Sequence, residues 1–137
     1  MKILLDSGAK MPTRAHKTDA GMDLYSMEFA IIEPGKSHTF DTGVHLLFDP
    51  GTYGKIESKS GLNVCYGVVS CGGTLDEGYT GSIRVKLYNF GEAAWTVYPG
   101  DKLAQVVIQP YLVPEMDVVD ELPKTDRGNN GFGSTGL

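Results

Sequence analysis

A chain of 137 residues has the length of one domain and buries roughly two-thirds of its unfolded surface, so a single core needs no disulfide or metal staple. Its 17 acidic and 12 basic side chains give a formal charge of −5 with no basic run. That excludes the clustered Lys and Arg of a nucleic-acid or membrane-surface partner, but not a small anionic ligand, which needs only a few local cations and a metal.

The first residues, Met1-Lys2-Ile3-Leu4-Leu5-Asp6, form too short an apolar run for a signal peptide, and no stretch could span a bilayer. A soluble protein of the cytoplasm, or of a host's cytoplasm if the source is viral, is expected. Short strands are predicted at residues 3–5, 22–25, 37–40, 44–48 and 53–58, with turns at Glu33-Pro34-Gly35 and Asp49-Pro50-Gly51. A short helix is possible near residues 61–64. A strand over 66–71 follows, so Cys65 and Cys71, which match no zinc or redox spacing, are expected to be buried free thiols. Residues 82–89 alternate, with Ile83, Val85 and Leu87 on one face and Arg84, Lys86 and Tyr88 on the other. After a strand at 94–97 and the turn Tyr98-Pro99-Gly100, residues 103–108 carry Val106-Val107-Ile108, suited to a strand buried on both faces. Trp95 and the strand aromatics are read as core. His16, His38 and His45 have no metal-ligand spacing and are read as surface or packing residues. About ten short strands imply an all-β sandwich, barrel or jelly roll.

One domain, residues 1–124, is followed by a tail over 125–137. The tail's four glycines and near absence of apolar side chains mean that it cannot fix itself by burial. A disordered end of no consequence is the simple reading. Yet Arg127, Phe132, Ser134 and Thr135 supply a cation, an aromatic ring and two hydroxyls, which suit an arm closing over a phosphorylated aromatic ligand.

The segment Gly72-Gly73-Thr74-Leu75-Asp76-Glu77-Gly78-Tyr79-Thr80-Gly81 lies between two strand-like runs and reads as a hairpin. Its glycines let the backbone curl tightly and bare its amides. Taken alone, it could be an ordinary turn with a capping Asp76 and a packed Tyr79. Three further segments matter: Ala20-Gly21-Met22-Asp23-Leu24, Ser58-Lys59-Ser60-Gly61-Leu62 and Gly100-Asp101-Lys102-Leu103-Ala104-Gln105. In order, these three, the hairpin and the tail resemble the five sequence motifs of the trimeric dUTPase family, over most of the chain from about Ala20.

The resemblance implies a jelly-roll-like β-barrel, a homotrimer and Mg²⁺-dependent hydrolysis of dUTP. In it Asp76 is the general base toward the attacking water, a role worth about 10²–10⁴ in rate, and Tyr79 packs beneath the deoxyribose. Uracil is read largely by backbone groups between Ser70 and Leu75, with Gly73 and Thr74 among them. A fixed donor–acceptor pair there rejects cytosine, because the mismatch strands buried polar groups. Lys59, Ser60 and Gly61 hold the phosphate chain, and Gln105 and Arg84 also contact substrate. Asp23 stands beside Mg²⁺, through water. In the arm, Arg127 meets the γ-phosphate, Phe132 stacks on uracil with Gly133 beside it, and Ser134 and Thr135 bind phosphate oxygens.

Each role has a plainer alternative. Asp23 could be an exposed strand-end acid, Gln105 a side chain satisfying a backbone group, Lys59 a solvated lysine and Ser60 a helix N-cap. Three positions depart from the family pattern. Lys59 replaces the usual arginine and loses its bidentate fork, Ser70 replaces a common asparagine, and Asn130 replaces a glycine. A dCTP deaminase of the same fold and a regulatory nucleotide-binding module are the competing readings.

Overall fold

The computed structural model describes residues 1–131. The arm residues Phe132, Gly133, Ser134 and Thr135 lie outside that range. The elements run β1 (Lys2–Leu5), β2 (Gly21–Tyr25), β3 (Ala30–Ile32), β4 (Ser37–Asp41), β5 (Val44–Leu47), β6 (Thr52–Glu57), α1 (Ser60–Tyr66), β7 (Val68–Ser70), β8 (Thr74–Leu75), β9 (Arg84–Asn89), β10 (Trp95–Val97) and β11 (Lys102–Pro110). The architecture is all-β and jelly-roll-like, as expected. Among the described residues no helix is long and apolar enough to cross a membrane.

The strands pair antiparallel in four ladders, ordered β2-β11-β6-β8, β4-β9-β7, β1-β5 and β10-β3. Among the described residues these ladders do not close into one barrel. They share one core. Leu24, Ile32, Phe40, Val44, Val85, Leu87 and Val106 are at most 1% exposed, and they come from all four ladders. Stripping such a side chain to alanine costs about 2–5 kcal/mol. β9 alternates as its sequence requires, with Val85 and Leu87 inside and Arg84 and Lys86 outside.

Several expectations change. β3 was not expected; it is three residues long and too short to show a period. The helix extends through Tyr66, taking that residue from the expected strand, and ends at Gly67. Gly67 adopts φ +67° and donates its N–H to the Asn63 carbonyl at 3.0 Å, which closes the last turn. Cys65 therefore sits on a helix with no buried residue, and both Cys65 and Cys71 are exposed rather than buried. Trp95 is half-buried at the core's edge, against Tyr66. Of Val106-Val107-Ile108 only Val106 is fully buried: Val107 faces a cleft on the outer side of β11, and Ile108 is partly buried against the core.

A β-bulge at Leu103 shifts the β11–β2 register between Lys102 and Ala104. Leu103 and Ala104 both point inward as a result. Lys102 and Gln105, which strict alternation would put on opposite faces, then share one face opposite Asp23.

Candidate active site

The predicted site residues fall into two groups, lining different clefts of the single chain. The first is the loop joining β7 to β9. Those two strands do pair antiparallel, Val69 against Tyr88, so the hairpin is present. Its loop, however, crosses to the other ladder, where β8 adds to β6 with Leu75 opposite Gly54.

Close approach is what makes this crossing possible. A Cβ on Gly72 would stand 2.3 Å from the Ile56 Cβ, and one on Gly54 would stand 3.1 Å from Leu75 Cδ1. The Ile56 N–H donates to the Gly73 carbonyl at 3.2 Å. Leu75 is buried in the core and Asp76, one residue on, is exposed. Tyr79 N–H donates to the Asp76 carbonyl at 2.9 Å, and the Tyr79 hydroxyl donates to the Ser82 carbonyl at 2.9 Å. The Tyr79 ring lies across Gly81, where a Cβ would be 2.5 Å from its hydroxyl oxygen. Gly73, Thr74, Leu75, Asp76, Tyr79 and Arg84 thus line one cleft. Arg84 also forms an ion pair with Asp41, at 3.6 Å. His45 is half-buried and bridges the loop to β1's end, with Nδ1 2.9 Å from the Thr80 carbonyl and Nε2 3.3 Å from Asp6.

The second group surrounds Asp23, which is not an exposed strand-end acid. It lies mid-strand, 6% exposed, with Lys59 Nζ 2.6 Å from one oxygen and Lys102 Nζ 2.6 Å from the other. Burial pushes its pKa up, but hydrogen bonds and charge from Lys102 and Lys59 outweigh burial and hold it below the ordinary value. Lys59 is a paired, half-buried cation rather than a solvated one. It also occupies the N-cap position of α1, so Ser60 is the first helical residue and not the cap. Ser60 and Gly61 are exposed at that helix start.

Gln105 faces Asp23 across the β11–β2 ladder and donates from Nε2 to the Ser58 carbonyl at 3.3 Å. Gly21 makes room for it, since a Cβ there would lie 2.1 Å from Gln105 Oε1. Ser58 Oγ in turn accepts the Ser70 N–H at 2.9 Å and lies 3.0 Å from Ser70 Oγ, tying the end of β7 to the Lys59 segment.

Arg127 joins neither group; its Nε donates to the Asn130 carbonyl at 3.0 Å within a local turn. Three neighbours of the predicted site residues become visible only in the structure. Ser58 immediately precedes Lys59, and that adjacency was its available signal. Lys102 was hidden by the bulge. Glu77 was hidden because its partners lie 26 and 34 residues away. Among the described residues no cluster of three His, Cys, Asp or Glu forms a metal cage.

The dUTPase family model matches residues 7–136. The deoxyuridine 5'-triphosphate nucleotidohydrolase of Clostridium novyi (strain NT) is 41% identical over 142 residues, covering 100% of both chains. That of monkeypox virus is 43% identical over 129 residues, covering 94% of this chain and 85% of its own. A point mutant of the Staphylococcus bacteriophage 80alpha dUTPase, solved with dUpNHpp, superposes with a TM-score of 0.92 at 28% identity, covering 99% of this chain and 98% of that one. A mutant dUTPase from phage phi11 of S. aureus, described as revealing the coordination of a structural Mg(II) ion, superposes at 0.81 with 30% identity, covering 88% and 96%. Matched along nearly its whole length to relatives of one kind, the chain belongs to the dUTPase family.

Proposed function

We propose that this chain hydrolyses dUTP to dUMP and pyrophosphate, with Asp76 as the general base. The observation that carries the reading is the placement of Asp76, an exposed carboxylate at a cleft's lip, next in sequence to a core-anchored leucine. A carboxylate so placed accepts a proton from water as the water oxygen bonds to the α-phosphorus. The bond from that phosphorus to the bridging oxygen breaks, and pyrophosphate leaves. Backbone groups of Ser70, Gly73, Thr74 and Leu75 read uracil, and the Tyr79 ring, fixed at its hydroxyl, lies under the deoxyribose and excludes a 2′-hydroxyl.

Lys59, Ser60 and Gly61 hold the phosphate chain, with Ser60 at the departing oxygen, and Gln105 and Arg84 add contacts. The donor set fits Mg²⁺ bound through water. Asp23 is a single carboxylate whose oxygens each meet one ammonium and keep a lone pair for a metal-bound water. When bound, the ion neutralises charge on the triphosphate oxygens.

Residues 1–124 form the catalytic body, and 125–137 form the arm that brings Arg127, Phe132, Gly133, Ser134 and Thr135 over the substrate. A homotrimer completes the site. Two features support it: the division of the site residues between two clefts, and the exposure of Leu112, Val113, Met116, Val118 and Leu122, each 77% or more. So large an apolar exposure is expected of a segment that packs on another subunit. The substrate belongs to the nucleotide pool, which sets the enzyme in the cytoplasm of its cell or host.

The test is pyrophosphate release from dUTP with Mg²⁺, against dCTP, dTTP and UTP, with ammonia release from dCTP measured alongside. dUTP alone should turn over, and Asp76→Asn should lower the rate by roughly 10²-fold or more while dUTP still binds. Equal rates on all four nucleotides, or parental turnover in Asp76→Asn, would reject the reading.

A further inference from the structure

Glu77 follows Asp76 directly and shares a cleft with it, and its side chain reaches back onto the body of the domain. Its Oε2 accepts the Gly51 N–H at 2.8 Å and the Tyr111 hydroxyl at 2.7 Å. Gly51 sits in the turn between β5 and β6, at φ +77°. Tyr111 is the first residue after β11, and its own N–H donates to the Gly51 carbonyl at 3.1 Å. The Tyr111 ring meets Tyr53 edge-on, with centroids 6.1 Å apart, and the Tyr53 hydroxyl donates to Gln109 Oε1 at 2.7 Å.

Three segments remote in sequence therefore converge on one carboxylate: the Asp76 loop, the β5–β6 turn and the exit of β11. An ordinary turn needs none of these contacts. The loop is already held before Asp76 by buried Leu75 and after it by the Tyr79 hydroxyl bond. The Tyr79 N–H bond to the Asp76 carbonyl fixes the backbone of the turn within the loop. Glu77 adds the tie from the residue next to Asp76 to the body of the domain.

We infer that Glu77, latched by Tyr111, is a positioning residue that sets the direction of the Asp76 carboxylate and couples the catalytic loop to the root of the C-terminal segment. The inference rests on the assignment of Asp76 as the base. The charge-assisted bonds from the Tyr111 hydroxyl and then the Gly51 amide hold the Glu77 carboxyl below its ordinary range. The Tyr111 phenol is raised, chiefly by Glu77. The latch is thus closed, with Glu77 ionised, throughout the neutral range. A misplacement of about 1 Å in a catalytic group is enough to cost on the order of 10²-fold in rate.

The experiment compares Glu77→Gln, Tyr111→Phe and the double variant with the parent and with Asp76→Asn, measuring kcat and KM for dUTP in Mg²⁺ together with Tm. Each single variant should lose roughly tenfold or more in kcat with KM within about twofold, because binding contacts are untouched and only the base is misaimed. The double variant should lose much less than the product of the single losses, since both changes open the same latch. A kcat within about twofold of parental in both single variants overturns the inference, as do multiplicative losses or a KM that rises in step with the fall in kcat. With Asp76→Asn inactive, those results overturn the latch alone. Parental turnover in Asp76→Asn overturns the base assignment and the latch with it.

Discussion

Asp23 holds a cation on each of its two oxygens, and the cations come from different parts of the chain, Lys59 ahead of α1 and Lys102 at the start of β11. Without that carboxylate, two ammoniums would face each other across the cleft proposed for phosphate. With it, they are held within reach of a ligand whose oxygens can share them. The lysine in place of the family's usual arginine fits this arrangement, because one ammonium can turn between carboxylate and phosphate where a planar fork would need both its edges aligned. The folded-state pKa of Asp23 lies below its unfolded value of 3.8. The ion pairs therefore add stability that is fully present above that value and is lost as pH falls through the folded-state pKa. Asp23→Asn should lower stability near pH 7 by about 1–3 kcal/mol, the lysines being free to turn toward water. In acid, where Asp23 is itself protonated, the gap should close. Urea unfolding of both proteins across pH 2–7 checks this, and a gap independent of pH would reject the ion pairs as its source.

At the scale of the element, the loop between β7 and β9 is shaped by glycines whose missing side chains leave room for something specific. Gly81 gives its space to the Tyr79 ring. Alanine at this position needs no unusual backbone angle, and the obstructing atoms are the far end of one side chain, so the fold should survive while the ring moves. Gly81→Ala should therefore keep Tm within a few degrees and weaken the preference for dUTP over UTP by on the order of tenfold. The ratio of kcat/KM on the two nucleotides measures it; an unchanged ratio would remove the ring from sugar selection.

The same loop shows what was legible in the residues. Its glycine spacing marks a tight hairpin, which only the other four motifs turn into a ligand-facing one, and the period of two in β9 marks the strand beside it. β8 was not legible, since two residues carry no period and their partner, β6, is nineteen or more positions away. Nor was the Leu103 bulge, which alone puts Lys102 beside Gln105. Cys65 is expected to be buried beside a strand because the apolar run around it does not show that a helix continues to Tyr66 and ends at Gly67. Glu77 carries no signal of its own in the sequence; what sets it apart is a contact between remote segments, and no local pattern encodes one.

For the molecule as a whole, the notable feature is that one folded chain places the proposed site residues in two different clefts. The loop cleft holds Asp76, Tyr79 and Arg84, whereas the charged cleft holds Asp23, Lys59, Lys102 and Gln105. On the proposed reading, a triphosphate that meets Asp76 at its inner phosphorus and the lysines at its outer ones lies between two copies, each supplying one cleft. This gives a requirement that a self-contained site would not share. Asp76→Asn and a second variant, Lys59→Ala with Gln105→Ala, should each be nearly inactive. Unfolded together and refolded as mixed oligomers, they should regain activity, because some interfaces pair an intact loop cleft from one variant with an intact charged cleft from the other. With random mixing in equal amounts, about one interface in four is fully wild type by simple pairing, so roughly a quarter of parental activity is expected. Recovery to that level, matched by sedimentation of the mixture as a trimer, would place the site between subunits. Activity no higher than that of the separate variants, with trimers formed, would confine each site to a single chain.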